Sequence, residues 1–197
     1  MAGRMRVTGG ADRGRRLAAP RGLRTRPTAE RVREALFDIF GPAVRGARVL
    51  DLFAGTGAVG IEALSRGAAR GVFVERDREA LRALRANLAA LRVSRERARV
   101  VAGDALAALS NLAATETPFD LVFLDPPYEG ALVHRALAAL ARGALLCPGG
   151  RVVVQHFAKT PVPTVTGLVI DGEARRFGET TLTFFRAEGY TPPGSGP

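Results

Sequence analysis

Between residues 47 and 157, strand-length apolar runs alternate with helical periods, and this alternation constrains the fold more than any other feature of the chain. Residues 47–53 read as a buried strand, 57–65 as a helix and 71–75 as a second strand. Residues 77–91 form a helical period with Leu81, Leu84, Leu88 and Leu91 on one side. Short strands follow at 99–101 and 119–124, with helices at 105–112 and 132–140. A turn at Cys147, Pro148, Gly149 and Gly150 leads into a strand at 151–157. Parallel strands joined by helices need right-handed crossovers and a sheet covered on both faces. Residues 165–170 and 180–185 look like two strands with no crossover helix, which predicts an antiparallel edge. The expected architecture is α/β: a mostly parallel, seven-stranded sheet with helices on both faces.

The N-terminus has a different composition. Residues 4–18 predict a small β-hairpin, with Met5, Arg6 and Val7 opposite Arg15, Arg16 and Leu17, and Gly9, Gly10 and Gly14 marking the turn. A Pro/Arg/Gly linker at 19–27 precedes a helix at 29–40, capped by Thr28. Val32, Leu36 and Ile39 share its apolar face, and Arg31 and Arg33 fall off it. The organisation expected is a basic arm at 1–27, one domain at 28–190 and a disordered Pro/Gly/Ser tail at 191–197. Residues 1–35 carry ten arginines against three acids, +7 of a net charge of +10. Such asymmetry points to a polyanion, and Arg4, Arg6, Arg13, Arg15, Arg16, Arg24, Arg26 and Arg31 are the candidate phosphate contacts. The 47% apolar fraction suffices for a core, no run is long enough to span a bilayer, and no secretory h-region is present. A soluble, cytoplasmic monomer is expected. One cysteine, Cys147, and two distant histidines, His134 and His156, provide neither a disulfide nor a metal site.

The first core strand runs into Asp51-Leu52-Phe53-Ala54-Gly55-Thr56-Gly57-Ala58-Val59-Gly60, which contains a G-x-G-x-x-G pattern. Glu75 follows at the tip of the next strand, where a ribose-binding acid belongs. A dinucleotide would place its pyrophosphate at the helix N-terminus, and Asp51 would repel it. S-adenosylmethionine has no phosphate and brings an ammonium and a sulfonium instead. A carboxylate there attracts them by on the order of 1–4 kcal/mol. Asp104, just past the third strand, suits an adenine amino group or caps the next helix. Asp51, Glu75, Asp104 and Asp125 all fall at predicted C-terminal strand ends, the edge where open α/β sheets bind ligands.

The strand at 119–124 ends in Asp125-Pro126-Pro127-Tyr128. The prolines stop the strand and stiffen its exit. The acid can accept hydrogens from an exocyclic amine, and the tyrosine offers a stacking platform for a flat base.

These residues resemble the class I S-adenosylmethionine-dependent methyltransferases, a Rossmann-like fold. The 51–57 loop, the acids on the second and third strands and the Asp-Pro-Pro-aromatic motif carry that resemblance. With Arg6-Val7-Thr8-Gly9-Gly10, Arg13-Gly14-Arg15-Arg16-Leu17, Arg26-Pro27-Thr28 and Arg31-Val32-Arg33-Glu34-Ala35-Leu36-Phe37, the chain resembles the bacterial 16S rRNA guanine-N2 methyltransferase family (RsmD-like). Arg176-Phe177-Gly178 extends the match, although the family more often carries tyrosine where Phe177 stands. The segment from Gln155 to Lys159 is also less acidic than that family leads one to expect. The resemblance implies methyl transfer from S-adenosylmethionine to guanine N2 in small-subunit rRNA, with no metal. It implies Asp125, Pro126, Pro127 and Tyr128 at the target base. It implies Asp51, Phe53, Ala54, Gly55, Thr56, Gly57, Glu75, Arg76, Asp104 and Ala105 around the donor, with Arg26, Thr28 and Arg31 near the site. Adenine-N6 methylation, a noncatalytic RNA-binding assembly factor and an NAD oxidoreductase are the alternatives left open.

Overall fold

The computed structural model describes residues 5–20, 27–127 and 130–190. The expected tail at 191–197 lies outside these, as do Arg4, Arg24, Arg26 and Tyr128. The chain forms two compact units, residues 1–105 and 106–197.

The first unit contains helix α1 (Pro27–Phe40), a 3-10 turn (Gly41–Val44), strand β1 (Arg48–Asp51), helix α2 (Ala58–Ser65), strand β2 (Arg70–Glu75), helix α3 (Arg78–Ala90) and strand β3 (Ala98–Ala102). The strands lie in the order β3-β2-β1 and pair in parallel, with Asp51 opposite Phe73 and Glu75 opposite Ala102. Leu50, Leu52, Phe73 and Leu84 are fully buried. Each such side chain contributes roughly 1.5–3 kcal/mol by leaving water. Asp77 caps α3 by accepting from the Ala80 amide at 2.8 Å. Helix α1 begins at Pro27, so Thr28 lies within its first turn rather than before it.

In the second unit, helix α4 (Ala105–Thr115) precedes strand β4 (Phe119–Leu124), helix α5 (Gly130–Arg142), strand β5 (Leu146–Phe157) and three further strands, β6 (Leu168–Ile170), β7 (Arg175–Phe177) and β8 (Thr180–Ala187). The order is β4-β5-β8-β6, with β7 also on β8. β4 and β5 are parallel, and β8 pairs antiparallel with β5, β6 and β7. The expected parallel pairing is therefore present within each unit and the antiparallel edge in the second, with eight strands among the described residues rather than seven. Two readings of the sequence need correction here. The turn expected at 147–150 is part of β5, which absorbs it through a register shift opposite 119–121. The three-residue β7, too short for a periodicity to register, was missed. His156 is a sheet fastener: its Nδ1 sits 2.9 Å from both the Phe157 and Thr160 carbonyls, so that nitrogen carries the proton, and its Nε2 faces the Thr183 hydroxyl at 2.8 Å.

The N-terminal segment is laid against the helices of the first unit. Val7 and Leu17 are buried. A single antiparallel bridge joins Arg6 to Arg16, and the Leu17 amide donates to the Met5 carbonyl at 2.9 Å. The turn closes on the C-terminus of α2, where the Ala11 amide satisfies the Ser65 carbonyl at 2.8 Å.

A buried carboxylate organises this packing. Glu62 is 0% exposed. It accepts from the Thr8 amide and hydroxyl, each at 2.8 Å, from Arg66 Nε at 2.9 Å and from Arg33 Nε at 3.3 Å. Arg33 also donates to the Arg6 carbonyl at 2.6 Å. The expectation that Arg33 faces away from the core is therefore wrong, because Glu62 draws it inward. Ile39, placed on the apolar face, is 37% exposed, and Phe37 and Phe40 are buried instead. Removing one partner from a buried ion cluster strands the others. Glu62→Ala should lower stability by about 3–5 kcal/mol, seen as an earlier urea midpoint with an unchanged slope. An unmoved midpoint would show that the cluster contributes no stability.

Candidate active site

The turn after β1 is braced from several directions. The Ala54 amide donates to the Val74 carbonyl at 2.9 Å, tying the turn to β2, and the Gly57 amide donates to Ala54 at 2.7 Å. The Gly55 amide donates to Glu75 Oε2 at 2.7 Å. The other carboxylate oxygen of Glu75 accepts from the Arg76 and Asp77 amides, each at 2.7 Å. Three backbone N–H groups thus fix the orientation of Glu75, which stays half-exposed on the strand rim. The Gly103 amide donates to the Glu75 carbonyl at 2.9 Å and draws the Asp104 loop to the same edge. Asp104 is exposed and immediately precedes α4, and Ala105 is buried.

Asp51 differs from expectation. It is 2% exposed and accepts from the Gly60 amide at 3.0 Å. The first-turn N–H groups of a helix lack intrahelical partners, and a buried one must be answered. Asp51 answers one and is not the open anion expected at the mouth of the turn. Phe53 and Gly55 are half-exposed, and Ala54, Thr56 and Gly57 are buried.

The three glycines have separate tasks. A Cβ on Gly60 would lie 2.3 Å from Phe73 Cε1, so this glycine lets α2 approach β2. Gly57 has φ +81°, and its Cβ would meet Leu84 Cδ1 at 2.3 Å. Gly55 has φ +55° with nothing within 4 Å of a Cβ, so its outer side is open for a ligand.

In the second unit, Asp125 directly follows β4. It is exposed, Pro126 is buried and Pro127 is exposed. Burial by the surrounding protein raises the Asp125 carboxyl from 3.8 to about 6, opposed by a hydrogen bond with the Gln155 side chain. The surface exposure and the dense protein around this carboxyl pull in opposite directions. The exposure decides whether a ligand can reach it, and water on that side tempers the shift. Gln155, on β5 beside the β4 tip, was not picked out from the sequence as a site residue, and the parallel register Leu124–Val154 is the signal that locates it.

Arg6, Arg13, Arg15, Arg16 and Arg31 are exposed. Arg6 pairs with Glu30 at 2.8 Å, and Arg15 donates to the Ala90 carbonyl at the end of α3 at 2.6 Å. The sequence reading also passed over Arg78, Arg82 and Arg85, which are exposed and lie at i, i+4 and i+7 on one face of α3. Residues 76–99 hold eight arginines against three acids, a local excess hidden in the chain-wide sum.

A family model described as Conserved hypothetical protein 95 matches residues 5–186. The chain is 37% identical over 185 residues to the putative rRNA methyltransferase YlbH of Bacillus subtilis, covering 94% of this chain and 100% of that protein. The chain belongs to the RsmD/YlbH-like rRNA methyltransferase family. It is similar to ribosomal RNA small subunit methyltransferase D of Escherichia coli at 40% identity over 163 residues, 83% of this chain and 80% of that protein. The solved structure of the putative methyltransferase yhhF from Escherichia coli matches with a TM-score of 0.81 at 35% identity, covering 94% of this chain and 99% of that one. The glycine turn of this family member makes a stability ranking testable. Gly57→Ala meets both an unfavourable φ and Leu84 and should cost about 2–4 kcal/mol. Gly55→Ala meets only the φ term and should cost about 1–2 kcal/mol. Denaturant midpoints in the reverse order would contradict this division of roles.

Proposed function

We propose that this chain transfers a methyl group from S-adenosylmethionine to the exocyclic N2 of a guanine in 16S rRNA of the small subunit. The observation that carries the reading is Asp125, an exposed acid at the end of β4 followed by two prolines and set beside Gln155. The family to which the chain belongs, and the small-subunit name of its Escherichia coli relative, support the substrate.

The residues of the glycine turn fit the donor. The open side of Gly55 leaves room for its backbone to be approached closely, and Glu75 presents an oriented carboxylate suited to ribose hydroxyls. Asp104 suits the adenine amine, with Phe53 and Ala105 as apolar neighbours. Asp51 places a carboxyl group under the turn, a better neighbour for a cationic donor than for a pyrophosphate. When bound, the donor supplies a methyl group on a sulfonium.

The protein's task at the other partner is to make a poor nucleophile attack. The lone pair of a guanine amine is delocalised into the ring. The Asp125 carboxylate and the Pro126 carbonyl accept its two hydrogens, which favours a pyramidal nitrogen with its lone pair free. Positioning of this kind supplies on the order of 7 kcal/mol. Gln155 orients the Asp125 carboxylate. Tyr128, outside the described residues, is assigned the stacking contact with the flipped base, worth ~1–3 kcal/mol. The proton lost from nitrogen passes to Asp125 or to water.

The test is incubation of the protein with labelled donor and small subunits lacking the modification, followed by nucleoside mass spectrometry. N2-methylguanosine is expected, and N6-methyladenosine or no product would overturn the reading. The pH profile follows from the raised acid. Protonated Asp125 accepts only poorly, so the rate should fall as pH drops through the window from about 6 toward 3.8. Asp125→Asn should lose most activity and flatten that limb; an unchanged limb would remove Asp125 from the chemistry.

The exposed arginines of residues 5–18, with Arg31 and the α3 row, are assigned the rRNA phosphates. Replacing Arg78, Arg82 and Arg85 together by glutamine should reduce the slope of log K against log salt by up to roughly 2–3, at about 0.7–0.9 per lost phosphate contact. An unchanged slope would place the RNA elsewhere.

A further inference from the structure

Thr56, in the middle of the glycine turn, is held by both ends of the N-terminal segment. On one side its hydroxyl donates to the Met5 sulfur at 3.4 Å. On the other, the side-chain amide of Asn87 on α3 donates to the Thr56 carbonyl at 3.0 Å. The same Asn87 exchanges two bonds with Ala18. Its oxygen accepts from the Ala18 amide at 2.6 Å, and its nitrogen donates to the Ala18 carbonyl at 3.1 Å. Met5 and Ala18 lie at the end of the paired stretches 5–7 and 15–17 that is opposite their turn. The open end of the arginine-bearing segment therefore closes on the residue between Gly55 and Gly57.

Asn87 is 2% exposed, so water does not substitute for its partners. A primary amide has two N–H donors, and here each serves a different segment, one Ala18 and one Thr56. The position of one segment constrains the other. Other braces on the turn, from Val74, Ala54, Asp51 and Glu75, come from the strands and the turn itself. The segment also reaches α2, the helix after the turn, through Thr8 on Glu62 and Ala11 and Asp12 on Ser65, and it meets the turn's own residues at Thr56.

We propose that Asn87, assisted by Met5, is a positioning residue that couples the RNA-binding segment to the donor turn, so that RNA and donor each tighten the binding of the other. The proposal rests on the functional reading above. Its physical basis is ordering. Phosphates held on Arg6, Arg13, Arg15 and Arg16 restrain the segment, and a restrained segment holds Thr56 in place. The donor then meets a turn whose ordering cost has already been met. Linkage requires the effect to be equal in both directions.

The test uses the full chain. Affinity for S-adenosylhomocysteine is measured by calorimetry with and without a small-subunit rRNA transcript, and affinity for the transcript with and without S-adenosylhomocysteine. The wild-type protein should show a tightening of roughly 5–10-fold, equal in both directions. Asn87→Ala should reduce it below about twofold while leaving the salt slope of RNA binding unchanged. Met5→Ala, at a half-buried position that leaves the buried amide intact, should reduce it partway, and it decides the question alone if Asn87→Ala does not fold. A purely structural Asn87 would lower the melting temperature and leave the coupling at its wild-type value, which would overturn the proposal. A wild-type protein that makes N2-methylguanosine yet shows no coupling would also overturn it. If the N2-methylguanosine product is absent, the functional reading fails and the coupling falls with it.

Discussion

The N–H groups at the start of α2 and in the turn before it have no partners within the helix, and the chain meets this constraint with carboxylates from its own strand ends. Asp51 at the end of β1 takes the Gly60 amide, and Glu75 at the end of β2 takes the Gly55 amide. Each bond joins a strand tip to the glycine turn, so the rim of the sheet and the approach to Gly55 are set by the same contacts that complete the helix start. Gly57 and Gly60 then let the turn lie directly against Leu84 and Phe73. A turn held this closely keeps Gly55 at the rim, where a Cβ would meet open space.

The same economy of buried polar groups attaches the N-terminal segment. A segment with Val7 and Leu17 as its buried apolar anchors has little hydrophobic area of its own. Glu62 supplies the difference. It draws in Thr8, Arg33 and Arg66, and Arg33 in turn grips the Arg6 carbonyl. Burying a carboxylate is unfavourable unless its oxygens are fully answered, and here four donors answer two oxygens. The arrangement gives one docking geometry, because a shifted segment would leave charges buried without partners. The arginines that remain outside, Arg6, Arg13, Arg15 and Arg16, are thereby carried on a docked segment.

The elements legible in the sequence were those whose signal is local. Helix α3 follows from four leucines at helical spacing, and β4 from an apolar run stopped by prolines. The glycine turn and the acids at strand ends were legible because they sit at fixed offsets from those elements. What was not legible depended on partners distant in sequence. Arg33 reads as a solvated helix residue until Glu62, twenty-nine residues on, places it inside. Ile39 reads as core because no pattern within α1 distinguishes it from Phe37 and Phe40. Asn87 reads as one polar residue on a leucine helix, and only Ala18 and Thr56, brought to it by the fold, give it work. The strand through Cys147–Gly150 was hidden because proline and glycine mark turns in most contexts, and a register shift lets β5 carry them.

The acids at three strand ends show how a single side-chain chemistry is divided by environment. Asp51 is buried and bonded to a helix amide, which gives it no freedom to turn toward a ligand. Glu75 is half-exposed and fixed by three backbone amides, so its unused lone pairs point in a set direction, as recognition of a hydroxyl pair requires. Asp125 is exposed, and its partner is a side chain, Gln155, rather than a backbone amide. Its carboxyl is also the one pushed upward, to about 6. A carboxylate with a raised pKa is a stronger hydrogen-bond acceptor when ionised, which is what the proposed contact with an amine needs. A fixed carboxylate therefore suits the proposed donor contacts, and a more basic one suits the proposed contact with the amine. An exchange of these environments would put the weaker acceptor at the proposed amine contact and leave the proposed ribose contact without its three backbone donors.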